Sequence, residues 1–259
     1  MKLARFSRDS LPFLVKAARQ KREDWLDRHQ EDYERLLLNP FRQLASSLKS
    51  ELADFAPGYN FPQKGIGRIK RSANRATEEG WFRDWMHYSA ARPRVSRFET
   101  NPNLYFLINP DDRTDPVLIA GGLYMPSSRQ LRSIREAIAN DASPFDTLFK
   151  SRSFSDHFKG GFSSERTASR PPRGFDPAHT RMNWLKLQAY FVWKPYSMKE
   201  FTSKDFHQIV VKDCKQILRL NELLEHAISG KLQSLNPGLE TRPAVNLDTI
   251  QAPTREMDF

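Results

Sequence analysis

Two short apolar runs, residues 104–109 and 116–124, bracket the polar stretch Asp111-Asp112-Arg113-Thr114-Asp115. That pattern predicts two strands joined as an antiparallel hairpin. Directly behind it, Met125-Pro126-Ser127 opens a helical pattern with Leu131, Ile134, Arg135 and Ile138 on one face, running to about Asn140. A hairpin that feeds an amphipathic helix needs that helix, and others like it, to cover one face of the sheet. The fold class expected is therefore α+β, with a central, mainly antiparallel sheet and helices packed against it.

The flanking segments supply those helices. Asp9-Ser10 before Leu11-Pro12 reads as a helix start with Ser10 as the cap. From Asp24, the residues Trp25, His29, Tyr33, Leu36, Leu37, Phe41, Leu44, Leu48, Leu52 and Phe55 recur at helical spacing. This predicts a long N-terminal helix, kinked by Pro40 near residues 36–39. Thr202-Ser203-Lys204-Asp205 resembles a capping box opening a C-terminal helix with Phe206, Ile209, Val210, Ile217, Leu220, Leu224 and Ala227 on one side. Cys214 falls by that stripe and reads as a small buried hydrophobe. Residues 187–193 read as a further strand, and Asp176-Pro177 as another helix start. Gly121-Gly122, inside the second hairpin strand, marks a bulge or a close approach, by a helix or by a ligand. Residues 1–228 are expected to form a single α+β domain, and residues 229–259, with three prolines and no sustained period, an extended C-terminal tail.

The single cysteine removes intrachain disulfides and multi-cysteine metal sites. No run approaches the ~20 apolar residues of a membrane span, and the N-terminus lacks a secretory pattern. A cytoplasmic protein with no membrane partner is expected. None of the six histidines pairs at zinc-site spacing, and no P-loop, nucleophile elbow or dinucleotide-binding glycine motif occurs. No metal and no cofactor is expected.

The net charge of +10 is unevenly spread. Residues 64–97 hold nine Lys/Arg against three Asp/Glu, residues 150–181 hold seven against three, and the other segments together balance. Within the first stretch, Gly65 to Arg71 alternates and reads as a strand carrying Arg68, Lys70 and Arg71; Arg75 follows it, and residues 77–80 read as a turn. Trp81, Arg83 and Trp85 adjoin it. The second stretch includes Arg170 and Arg173 in Arg-Pro-Pro-Arg-Gly-Phe, with Arg181 beyond. Guanidinium forks suit phosphates and carboxylates, and neighbouring aromatics can stack bases. The same residues equally describe a solvated sheet edge kept from aggregating by its charges.

The order of these motifs resembles the family known as domain of unknown function family 2461, from about Leu11 to Ile228. The carriers are Asp24-Trp25-Leu26 through Tyr33, Arg68-Ile69-Lys70-Arg71, Gly121-Gly122-Leu123-Tyr124-Met125-Pro126 with Leu131 and Ile134-Arg135, and Pro172-Arg173-Gly174-Phe175. The resemblance implies an α+β fold and a cytoplasmic protein, with no established activity. Members typically carry Arg-x-x-Arg-Asp-x-Arg-Phe. Here Arg68 and Arg71 match, Ser72 stands at the acid, and Asn74-Arg75 at the Arg-Phe. The later Lys-x-Pro-Tyr-Lys of the family has no counterpart around Pro93.

Three functional expectations follow. In the first, Arg68, Lys70, Arg71, Arg75, Arg170 and Arg173 bind an anionic partner: a phosphate-bearing ligand, nucleic acid or an acidic protein. In the second, the arginines clamp a phosphorylated or carboxylated substrate, and one of His87, His157, Glu78, Glu79 or Asp84 handles a proton. In the third, the C-terminal tail docks on a partner or a second copy.

Overall fold

The computed structural model describes residues 5–94, 96, 98–110 and 115–232. Helix α1, Ser10–Ala18, leads into a helical run built of α2 (Trp25–Arg28), α3 (Gln30–Tyr33), a π turn at Glu34–Leu38 and α4 (Asn39–Leu52). The run is less continuous than its apolar period suggested. It breaks at His29, whose φ is −121°, and widens to a π turn just before Pro40. Proline has no N–H to give the carbonyl four residues back, and its ring collides with that carbonyl; a wider turn absorbs both problems. The carbonyl concerned belongs to Leu36, and Ser10 Oγ donates to it at 2.8 Å. Ser10 is thus the first residue of α1 rather than its cap, and its hydroxyl serves the neighbouring helix.

The sheet has four antiparallel strands in sequential order: β1 (Met86–Ala91), β2 (Asn103–Ile108), β3 (Val117–Leu123) and β4 (Tyr190–Pro195). The expected hairpin is β2–β3, with Ile108 opposite Val117; most of its polar turn, residues 111–114, lies outside the described residues. Burial alternates along β1, β2 and the first half of β3, giving the sheet a core face and an outer face, whereas residues 121–123 and 190–192, where β3 and β4 pair, are buried on both faces. Between β3 and β4 come α6 (Ser128–Asn140), α7 (Ser143–Lys150), α8 (Arg152–Ser155) and α9 (Met182–Leu185). Ser127 and Gln130 close the capping box of α6. After β4 follow α10 (Met198–Phe201) and α11 (Phe206–Ile228). The capping box near the start of the last helix is Ser197/Glu200 on α10; Asp205, at the N-cap of α11, makes no side-chain cap bond.

Helix α11 lies on β3 and β2 and is itself packed by α4, α6 and α7. Gly121 makes this possible: a Cβ there would run into Ile217 Cγ2 and lie 3.0 Å from the Asn103 carbonyl oxygen, whereas Gly122, at φ +120°, faces the β4 backbone at Tyr190 and Phe191. The close approach is therefore a helix, the structural alternative. Cys214 is buried, its thiol pushed up by burial and by neighbouring Asp213. Residues 233–259, and with them nearly all of the expected tail, lie outside the described residues.

Three local expectations are corrected. Residues 65–71 are not a strand but an extended edge that touches its neighbours at single bridges, Ile66 with Tyr88 and Lys70 with Phe82, after a 3-10 turn at Gln63–Gly65. Residues 77–80 are not an isolated turn but the end of helix α5, Ala73–Glu79, closed by Gly80 at φ +82°. The helix expected from Asp176 is the single turn of α9. For the 65–71 edge, the tertiary partner decides the outcome: it meets its neighbours only at single bridges, which local pattern does not encode.

Candidate functional site

The basic segment runs along the free edge of β1. Asn60 N–H and Gly67 N–H donate to the Ala91 and His87 carbonyls at 3.2 and 2.8 Å. Residues 69–71 then pair with 81–83, and α5 fills the loop between. This layout treats the four cations differently. Arg71 is 11% exposed, pairs with Glu79 at 2.9 Å and donates to the carbonyls of Gly80 and Phe82. It holds the α5 loop closed. Lys70 pairs with Glu23 at 3.1 Å. Arg68 and Arg75 are exposed, and their guanidiniums make no hydrogen bond or ion pair among the described residues.

Arg83 completes the group. Its Nη1 donates to the Arg68 carbonyl at 2.6 Å. Its pKa is lowered, first by burial and then by the positive charges of Arg71 and Arg75, with Glu79 acting in the opposite direction. The Arg83 guanidinium also lies 5.2 Å from the centre of the Trp85 ring. From there a ladder of rings crosses the outer face: Trp85 to His87 at 5.5 Å, and His87 stacked on Tyr105 at 5.2 Å. His87 Nδ1 is buried without a hydrogen bond, and burial followed by Arg83 lowers its pKa. The ring is therefore neutral at pH 7. Contacts build the ladder: Arg83 and Trp85 lie just before β1, and from His87 on β1 the rings step diagonally to Tyr105 on β2.

The second basic stretch lies at the opposite edge. Ser163 N–H donates to the Phe191 carbonyl at 2.8 Å, and Gln188 N–H to the Arg166 carbonyl at 2.7 Å. Segment 163–168 thus follows the free side of β4 and leads into the loop carrying exposed Arg170 and Arg173. Arg166 donates to the Tyr124 carbonyl at 2.7 Å and lies over that ring. Arg181 is engaged with Asp146 and stacks on Trp184. The two basic stretches therefore share no pocket. They border the same four-stranded sheet from its two sides.

A second constellation escaped the sequence reading almost entirely. Asp213 on α11 is fully buried. Its carboxylate accepts from Tyr196 Oη at 2.6 Å, is met by Lys194 Nζ at 2.9 Å and bonds to His157 Nδ1. Burial, then Asp213, pushes the Tyr196 hydroxyl far up, so it stays a donor. The His157 and Lys194 side chains are 27% and 23% exposed, so both reach solvent from a buried anchor. Of the proton-handling candidates, His157 is the one the fold orients through a buried carboxylate. The available signal was Asp213 itself, three residues after Val210 and four before Ile217 on an otherwise apolar stripe. Among the described residues, no cluster of His, Cys, Asp or Glu could hold a metal ion, and no helix is long and apolar enough to cross a membrane.

The sequence profile of a family described as conserved hypothetical protein (DUF2461) matches residues 9–222. The chain belongs to DUF2461. The match covers most of the described fold, from the residue before α1 into α11, and so takes in the basic edge, the glycine pair on β3 and the Pro-Pro-Arg-Gly loop. No curated protein and no solved structure matches this DUF2461 chain significantly.

Proposed function

We propose that the protein binds an anionic, phosphate-bearing partner along its basic sheet edge, through Arg68, Arg75 and Arg83, with Lys70 beside them and Arg71 holding the segment in place. The observation that carries this reading is that Arg83 Nη1 donates to the carbonyl of exposed Arg68 at 2.6 Å, which brings cationic residues together on one edge, and burial, then Arg71 and Arg75, lowers the Arg83 pKa. Glu79 pairs with Arg71, whereas Arg68 and Arg75 keep their guanidiniums uncommitted among the described residues. Like charges held together raise the local anion concentration and the association rate. Arg170 and Arg173 extend the same field at the far edge of the sheet.

Fluorescence anisotropy against labelled polyphosphate, titrated with salt, tests the proposal. Affinity is expected to fall steeply with ionic strength. Arg68→Glu with Arg75→Glu should lower it at least tenfold without unfolding the protein. Salt-independent binding, or none at low salt, would remove the proposal.

The enzymatic reading, a reaction on a phosphorylated or carboxylated substrate, draws support from one observation: His157 bonds through Nδ1 to buried Asp213. A buried carboxylate orients an imidazole so that its other nitrogen can exchange a proton with a substrate. A turnover screen on phosphate and carboxylate esters, repeated with His157→Gln, tests it. Turnover unchanged by that substitution would exclude His157.

A further inference from the structure

The outer face of the sheet carries side chains that the core does not use. Trp85, Tyr105, Leu107, Leu118 and Trp193 are all half-buried, and none belongs to the core or packs against it. The register arranges them in rows. One row runs Ser89, Tyr105, Ala120, Trp193, straight across all four strands. Adjacent strands lie ~4.8 Å apart, so the backbones bearing Tyr105 and Trp193 stand about 10 Å apart, with only the methyl group of Ala120 between them. Stacked rings keep centroids ~4.5–7 Å apart. A flat ring lying over Ala120 would therefore meet an aromatic side chain on each side. The neighbouring positions His87 and Trp85 continue the aromatic surface towards Arg83.

The charge layout suits a chain rather than a single small anion. Cations stand at both borders of the sheet: Arg68, Arg75 and Arg83 beside β1, and beyond β4 the segment 163–168, with Arg166 over the Tyr124 ring, leading to exposed Arg170 and Arg173. A partner touching both must span the sheet, about five inter-strand steps or roughly 24 Å. That is several nucleotides of a single strand. Such chains are held by a combination of backbone-tracking cations and sequence-tolerant stacking of bases on aromatic side chains.

We propose that the outer sheet face binds single-stranded nucleic acid, with bases stacked on Tyr105, Trp193 and the Trp85–His87 ladder and phosphates met by the arginines at both edges. This rests on the anionic-partner reading but adds the bases, and the two can fail separately.

The test uses the full chain, a fluorescein-labelled oligouridylate of about ten nucleotides, an abasic oligomer of equal length and polyphosphate. The oligouridylate should bind at least tenfold more tightly than the abasic oligomer and quench tryptophan fluorescence. Tyr105→Ala and Trp193→Ala should each weaken oligouridylate binding about tenfold, as expected for loss of one base stack, and leave polyphosphate binding unchanged. Tyr105→Phe, which keeps the ring, should bind as the parent does and guards against a folding artefact. Equal affinity for the oligouridylate and the abasic oligomer would overturn the stacking surface while leaving the basic edge intact. Binding of none of the three would overturn both. A concentration-dependent dimer abolished by Trp193→Ala, with no oligouridylate binding, would assign the face to a second copy of the chain and overturn the proposal.

Discussion

Ser10 Oγ donates to the Leu36 carbonyl across 26 residues of chain, at 2.8 Å and in a buried setting. Pro40, four residues beyond Leu36, has no N–H to give that carbonyl. A hydroxyl on one helix thus supplies a donor to the carbonyl that the N–H of residue 40 would meet in a regular α-helix.

Ser10→Ala should therefore cost about 1–3 kcal/mol, the penalty for stranding a buried polar group, read as a lower urea midpoint at unchanged m-value. Pro40→Ala restores an N–H at the right position, so the loss should be smaller in that background. Additive losses in the double-mutant cycle would show that the two residues act independently.

Gly121→Ala places a methyl group against Ile217 Cγ2 and within 3.0 Å of a strand carbonyl. The expected loss is about 1–3 kcal/mol, as for other overpacked interiors. Ile217→Ala, costly alone, should make Gly121→Ala nearly silent. Thermal unfolding of the four proteins checks this.

Asp213→Ala leaves the buried Tyr196 hydroxyl and the part-buried Lys194 ammonium without their shared acceptor. Breaking a buried ionic cluster at one partner costs about 3–5 kcal/mol, so this variant should be among the least stable single substitutions in the chain. His157→Gln, at the solvent-facing rim, should cost much less. Similar chemical-denaturation midpoints for the two would contradict the central role given to the carboxylate.

His87 sets a pH dependence. Its folded pKa lies below the ordinary value of 6.5, through burial and then Arg83. The unfolded chain then binds more protons than the folded one below that pH, so stability is complete above about pH 6.5 and declines as pH falls through the folded pKa. His87→Phe keeps a stacking ring and removes the proton. Differential scanning calorimetry from pH 7.5 to 5 should show a smaller fall in Tm for His87→Phe than for the parent.

The chain's periodicities located the α+β class, the β2–β3 hairpin, α6 and α11, because each carries its pattern locally. The glycine pair also announced a close approach, though only the fold shows that Ile217 makes it. The basic edge was legible as charge but not as geometry. Nothing local distinguishes Arg71, which clasps the α5 loop, from Arg68 and Arg75, which face outward; the difference lies in Glu79 and in carbonyls around residue 81. Likewise, Tyr105 and Trp193 are 88 positions apart, and only strand order puts them on one row. Asp213 was visible as a charge on an apolar stripe, but its partners come from β4, the residue beyond it and the turn after α8, which no spacing rule connects.

The strand order has a consequence for the growing chain. Ile108 and Val117 pair across a short connection, whereas Leu123 waits for Tyr190, 67 residues later, and Leu118 for Pro195, 77 residues later. Until the ribosome has delivered that segment, β3 is an edge strand reading Val-Leu-Ile-Ala-Gly-Gly-Leu, without a charge or a proline to guard it. Its core-side cover, α11, arrives later still. The interval between synthesis of β3 and of β4 is thus when the chain most exposes a template for pairing with another copy of itself, and when a chaperone that shields apolar strand edges would matter most to its yield.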